Sequence, residues 1–137
     1  MANGLFGLGR ERFLGGDLDW DSQDFRVILI DAADYNVSID VHDFLDDVAA
    51  GARVAVSGAL ASKTKTLGVA DAADVTFSSV TGDVSEALII YQHTGTDSTS
   101  ALVVYIDTTS DSSLPVTPNG GDIQVTWDNG ANKIFKL

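Results

Sequence analysis

Three aspartates at alternate positions, Asp17, Asp19 and Asp21, are the residues whose type and spacing come nearest to a chemical site. A calcium loop opens on this rhythm because a hard cation needs several oxygen ligands converging from one short turn. The later positions do not follow it: Ser22 stands where the loop needs Gly, and Ile28 where it needs a bidentate Glu. The pattern favours an acidic strand or turn with Leu18 and Trp20 facing inward. His42 and His93 are the only imidazoles, and neither has a second histidine at metal spacing. Asp43 with Asp46 or Asp47 could form an acid/base pair of the glycosidase kind. With 18 aspartates in the chain, however, such neighbours arise by chance. The Gly7-Leu8-Gly9 triplet lacks the further glycines and the Lys-Ser/Thr pair of a phosphate loop. No catalytic set, metal site or cofactor is expected, and no enzymatic activity.

Two further groups invite a binding role. Trp20, Trp127, Tyr35, Tyr91 and Tyr105 form a sugar-stacking platform only if several are exposed on one face; most lie in apolar runs, where core packing is the ordinary role of a large ring. Arg10 and Arg12 near one end, and Lys133 and Lys136 near the other, are the local excesses of positive charge. They are either docking points for an acidic neighbour or solvated charges.

The totals narrow the class. A chain of 137 residues with 45% hydrophobic content is expected to form one domain with its own core. Its longest apolar run is far shorter than the roughly 20 residues of a membrane-spanning helix. A formal charge of -12 repels nucleic-acid phosphates, so neither nucleic acid nor membrane is an expected partner. Asp outnumbers Glu 18 to 2, and with 13 Gly this favours short strands joined by turns over long helices. The absence of cysteine removes disulfides and thiolate chemistry and leaves the redox compartment open. Arg10, Glu11 and Arg12 interrupt the apolar start too early for a secretory signal, so synthesis in the cytoplasm, with exit only by lysis, is expected.

The elements that must carry these residues centre on Glu86 to Asp107. Ala87–Tyr91 and Ala101–Ile106 are apolar runs rich in β-branched and aromatic residues, joined by a polar link, and they should pair as a hairpin. Neither run alternates, which predicts strands covered on both faces. Before them, Leu5–Leu14 places Leu5, Phe6, Leu8, Phe13 and Leu14 at helical spacing, and Gly15-Gly16 supplies a stop. Gly7 and Gly9 each weaken that helix by about 1 kcal/mol relative to Ala, so it needs a surface to pack on. Phe25–Ile30 reads as a central strand, Val37–Val41 as a half-buried strand or extended segment, and His42–Val48 as a helical turn. Ala52–Ser57 is a strand with Val54 and Val56 on one face, Lys63–Leu67 is extended, and Asp74–Val80 is a strand with Val75 and Phe77 inward. Ser110–Asp122 is a surface crossover; Ile123–Trp127 alternates as a strand, and Asn129-Gly130 predicts a hairpin returning through Phe135 to Leu137. The sum is a mainly β chain, an antiparallel β-sandwich or jelly-roll-like arrangement with a short N-terminal helix.

The succession LFGLGRERFLGGDLDW, FRVILID, HDFLDDV, GVADAADVTFSSVTG, EALIIYQHTG, ALVVYID and LPVTPNGGDIQVTWDNGANKIFKL resembles a family of small virion proteins of tailed bacteriophages, over nearly the whole chain. The resemblance implies a non-enzymatic β-rich subunit on the capsid exterior, a cement or decoration protein on the lattice of the major capsid protein. A neck or tail position is the other place it allows, and a glycan-binding β-sandwich module is the reading from another class. Such subunits associate as closed symmetric oligomers, here a homotrimer by expectation. No binding residue is carried over. From the residues themselves, the N-terminal segment with Leu5, Phe6, Leu8, Arg10, Arg12 and Phe13 is the first candidate for contact with the lattice or a neighbouring copy, being basic, amphipathic and weak alone.

Overall fold

The computed structural model describes residues 3–137. Its centre is the expected hairpin: β6 (Ala87–Gln92) and β7 (Leu102–Ile106) pair antiparallel, with Ile89 opposite Tyr105 and Ile90 opposite Val104. β2 (Phe25–Ile30) flanks β6 through six residue pairs, from Phe25 opposite Gln92 to Ile30 opposite Ala87. β1 (Gly4–Leu5) closes one side on β7 and β3 (Arg53–Val56) the other on β2, giving the order β1-β7-β6-β2-β3. Every pairing in this sheet is antiparallel.

Both faces of the sheet are sealed, as the unbroken apolar runs require. Phe25, Val27 and Leu29 of β2 and Leu88 and Ile90 of β6 share one buried cluster with Leu18, Trp20, Phe77, Trp127 and Phe135. Ile28, Ile30, Ala87, Ile89 and Tyr91 point the other way, into a cluster with Phe6, Tyr35, Leu45, Val48 and Ala52. Two two-stranded ribbons, not one continuous second sheet, contribute to the first cover: β4 (Val69–Ala70) with β9 (Phe135–Lys136), and β5 (Val75–Phe77) with β8 (Ile123–Val125). The second cover is the segment from Tyr35 to Ala52, loop and short 3-10 turns at Leu45–Asp47 and Ala50–Ala52. Arg53 locks it down, its guanidinium donating to the carbonyls of Leu45 at 2.8 Å and Val48 at 2.7 Å and pairing with Asp97 at 2.9 Å.

One helix, α1 (Gly7–Gly15), is present among the described residues. It starts two residues later than the spacing predicts because Leu5 is drawn into β1 opposite Val104 and the Phe6 amide donates to the Val103 carbonyl. It stops at Gly16, whose φ of 83° is left-handed and open to glycine at no steric cost. Leu14, expected on the apolar face, is 85% exposed.

Three other expectations are corrected. Val37–Val41 forms no strand; Val37 and Ile39 pack half-buried against the second cover's cluster, as the extended-segment alternative expects, but Val41 points to solvent at 70% exposure. Val56 does not share the inward face with Val54: it lies on an edge strand and is 47% exposed. Asn129-Gly130 does not close a hairpin, since β8 pairs with β5 and β9 with β4. The tight hairpin turn needs left-handed backbone at both residues, and neither has a positive φ. Instead, Trp127 is tied to the segment before β5, its amide donating to the Asp74 carboxylate at 3.0 Å and its indole to the Ala73 carbonyl at 3.1 Å.

Gly9 fixes the helix on the sheet. A Cβ placed there would lie 2.6 Å from the Leu102 carbonyl oxygen and 3.3 Å from the Val103 Cα, so only glycine allows this approach. Gly9→Ala, which favours an isolated helix, is expected to destabilise this protein by about 1–3 kcal/mol. Gly51→Ala, with nothing within 4 Å, should change stability little. Urea unfolding of both variants checks this, and a G9A protein as stable as the parent contradicts the packing described.

Candidate functional site

The residues that could do chemistry are held in structural contacts. Asp17–Asp21 is a turn in which the Asp21 amide donates to the Asp19 carboxylate at 3.1 Å, while Leu18 and Trp20 are buried beneath it. The Asp19 carboxyl is held below its usual range by hydrogen bonds from Ser22 and from the Asp21 backbone. His42 Nδ1 receives the Ser38 amide, so its ring proton sits on Nε2 and the Tyr35 hydroxyl donates to Nδ1 at 2.8 Å. Burial, with Asp47 and Tyr105 nearby, raises the Tyr35 phenol well above its ordinary value. His93 lies beside the Tyr91 hydroxyl at 3.3 Å, 2 residues along the chain from it. Asp43 is paired with Arg12 at 3.2 Å and its amide donates to Asp47, so these carboxylates are not aimed at a common point. All five Trp and Tyr rings are buried, at 7% exposure or less, and offer no stacking platform.

A carboxylate group that no local spacing announces does converge. Asp31, Asp34 and Asp83 bring one oxygen each within 4.8 Å of one another, a geometry that could hold a cation. Asp31 is buried and accepts the Ala33 amide at 2.9 Å in a local turn; Asp34 and Asp83 are exposed. The cluster joins Asp31 and Asp34 of the turn after β2 to Asp83 of the loop before β6, and sequence spacing does not announce that third member.

The candidate contact residues of the N-terminal segment separate into two sets. Leu5 is half-buried in β1, and Phe6 is fully buried against the second cover. Phe13 packs between Phe25 and Phe135, with ring centroids at 6.4 and 6.0 Å. Arg12 holds α1 to the second cover by its pair with Asp43 and by stacking 4.3 Å over the Phe44 ring; its Nη1 is buried without a hydrogen-bond partner. Leu8 is half-buried, and Arg10 is exposed with Asp40 at 3.9 Å. Thus Arg12 is an internal clamp, while Arg10 remains on the surface.

An apolar groove of about 450 Å³ lies between the end of α1 and the β4/β9 ribbon. Phe13, Leu18, Trp20, Ala70, Phe135 and Leu137 line it. Leu137 of its wall is 51% exposed, and two further large apolar residues adjacent in the chain to lining residues are in solvent: Leu14, after Phe13, is 85% exposed and Leu67, before Gly68, is 90% exposed. Leu67 also has φ 56° and ψ 33°, the left-handed region that an L-residue enters at a cost of about 1–2 kcal/mol. Backbone strain that displays an apolar side chain is the kind of outlier that points to a surface with a use. Sequence spacing places Leu14 on an inward helix face and gives no prominence to Leu67, because the turn at Thr66–Gly68 has no periodic pattern.

Compared with protein-family models and with curated proteins, the chain matches none of them.

Two measurements check this geometry. Phe135→Ala removes the ring that closes the groove floor against Trp20 at 5.4 Å and is expected to cost about 3–5 kcal/mol in thermal or urea unfolding; a loss below 1 kcal/mol contradicts the packing. Asp24 accepts two hydrogen bonds from Arg26, at 3.1 and 2.9 Å, and these hold its carboxyl below the usual range. A carboxyl lowered on folding stabilises above the unfolded value near ~3.9 and stops doing so as pH falls through the folded value. Asp24→Asn, a half-exposed pair, should therefore cost at most about 1 kcal/mol at neutral pH. That difference should close as the pH falls below the ordinary aspartate range, and one that persists there contradicts the pairing.

Proposed function

We propose that this protein is a non-enzymatic assembly subunit, a cement or decoration protein on the outer surface of a tailed-bacteriophage capsid. The observation that carries the assembly reading is the groove at the end of α1, an apolar floor with exposed Leu137 in its wall and with exposed Leu14 and Leu67 each one residue along the chain from a lining residue, while His42 and Asp43 are engaged in internal contacts. Contiguous apolar surface on a charged protein marks a site of protein contact. The virion setting rests on the sequence resemblance, which spans the strands, the helix and the C-terminal segment together.

The physical demands of that role fit the chain. A decoration subunit stays soluble in many copies before assembly, and a charge of -12 keeps copies apart in solution. It must also resist unfolding with no cysteine to cross-link it, which a sheet sealed on both faces provides. Cation-dependent or nucleic-acid partners have no part in this reading; the partners are the major capsid protein and other copies of the chain.

Mass spectrometry and cryo-electron microscopy of purified particles of the encoding phage test it. The expected result is this chain in fixed ratio to the shell subunit, with density on the outer face of the shell. Density at the neck or tail moves the subunit within the virion and overturns the decoration assignment. Absence from intact particles overturns the proposal as a whole.

A further inference from the structure

We infer that Asn129-Gly130 is a site of spontaneous covalent modification, at which the folded protein loses the side-chain ammonia of Asn129 and gains a carboxylate. In the first step the Gly130 backbone nitrogen bonds to the Asn129 side-chain carbon Cγ, the Cγ–Nδ2 bond breaks, and ammonia leaves with the amide proton of Gly130. The product is a five-membered cyclic imide. In the second step water adds to one of its two carbonyl carbons and breaks the bond from that carbon to the nitrogen. Opening at the side-chain carbon leaves an aspartate in an ordinary backbone; opening at the main-chain carbon leaves an isoaspartate, with the chain routed through one extra methylene. Water is the one reactant taken up, and ammonia the one released.

Local chemistry nominates three such pairs. Asn3, Asn119 and Asn129 are each followed by glycine, which has no Cβ to hinder the approach of its nitrogen, whereas Asn36 and Asn132 precede Val37 and Lys133. The fold separates the three. Asn3 is engaged through both atoms of its carboxamide: Oδ1 accepts the amides of Asp107 and Thr108 at 2.8 and 2.9 Å, and Nδ2 donates to the Thr108 carbonyl at 2.8 Å. The glycine after it, Gly4, is held in β1 opposite Tyr105. At the second pair Asn119 Oδ1 accepts the Gly121 amide at 2.9 Å, and the nitrogen that would attack, that of Gly120, donates to the Val80 carbonyl at 2.8 Å. The third pair is untied. Asn129 and Gly130 are both exposed, and among the described residues neither the Asn129 carboxamide nor the Gly130 amide makes a hydrogen bond.

The chain is anchored on either side of this pair, by the Trp127 amide on the Asp74 carboxylate at 3.0 Å and by the Ile134 amide on the Ala70 carbonyl at 3.1 Å. The exposed stretch between these ties can bring the Gly130 nitrogen onto the side-chain carbon, and can take up an added methylene, while the strands stay paired. Conversion therefore needs no unfolding. It places one more negative charge in the arm that leads into β9 and the groove wall.

Peptide mapping by mass spectrometry tests this on the full chain incubated at mildly alkaline pH, folded and in urea, with Asn129→Gln as the control. Glutamine would have to close a larger ring, so it should stay unmodified. In the folded parent Asn129 is expected to gain about 1 Da as aspartate and isoaspartate. It should do so roughly ten-fold or more faster than Asn3 and Asn119, whose hydrogen bonds must break first. The circular dichroism spectrum should stay unchanged, and one new acidic band should appear on isoelectric focusing that Asn129→Gln lacks. In urea the three pairs should convert at comparable rates. An Asn129 that stays intact in the folded protein overturns the inference, and so does conversion of Asn3 or Asn119 at the same rate. A preference for Asn129 that persists in urea also overturns it, since flanking residues and not the fold would then set the rate.

Discussion

The structure depends on one constraint: β2, β6 and β7 are apolar on both faces, so their side chains stay out of water only if two separate covers close over one sheet. Burying each large aliphatic side chain is worth roughly 1.5–3 kcal/mol, and Val27, Ile28, Leu29, Ile30, Ile89 and Ile90 are all fully buried. The backbone hydrogen bonds of these strands run sideways within the sheet, which frees both faces for packing. The covers are unlike each other. Aromatic rings from a turn and two small ribbons fill one side, and a loop segment with 3-10 turns, clamped by Arg12 and Arg53, fills the other.

The groove follows from how the first cover is built. The β4/β9 ribbon, the turn that carries Trp20 and the end of the short helix meet there with a gap. The helix cannot shift to fill it, because Gly9 sets it directly on the β7 backbone and Gly16 turns the chain away. The seam where the helix end, the Thr66–Gly68 turn and the C-terminal strand converge is therefore apolar and open, with Asp19 and Lys65 at its edge. Internal contacts also hold some of the groups that look available in the sequence: Asp43 pairs with Arg12, His42 with the Tyr35 hydroxyl, and Asp47 accepts the Asp43 amide.

Much of the fold was legible in the residues. Unbroken apolar runs located β2, β6 and β7 and their two-sided burial, Gly15-Gly16 located the helix end, and alternation located β5 and β8. Local signals failed where tertiary contacts outweighed them. Asn129-Gly130 is a strong hairpin signal, yet Trp127 is anchored to Ala73 and Asp74 and Phe135 packs against Trp20, so the two arms join different partners. Val37–Val41 alternates without a neighbouring strand to pair with. The groove was only half visible. Composition points to the N-terminal segment as the contact element, but Phe6, Arg12 and Phe13 turn inward while Leu14 and Leu67 turn out, a choice made by packing and by one left-handed residue that periodicity does not register.

Amide hydrogen exchange, compared between dilute protein and the assembled state, tests the central claim most directly. Slow exchange in β2, β6 and β7 under both conditions is expected, with new protection on assembly confined to the helix end around Leu14, the turn around Leu67 and the last residues through Leu137. Protection that appears elsewhere while these segments stay open, or central strands that exchange as fast as the covers, would contradict a sealed sheet carrying its contact surface at that seam.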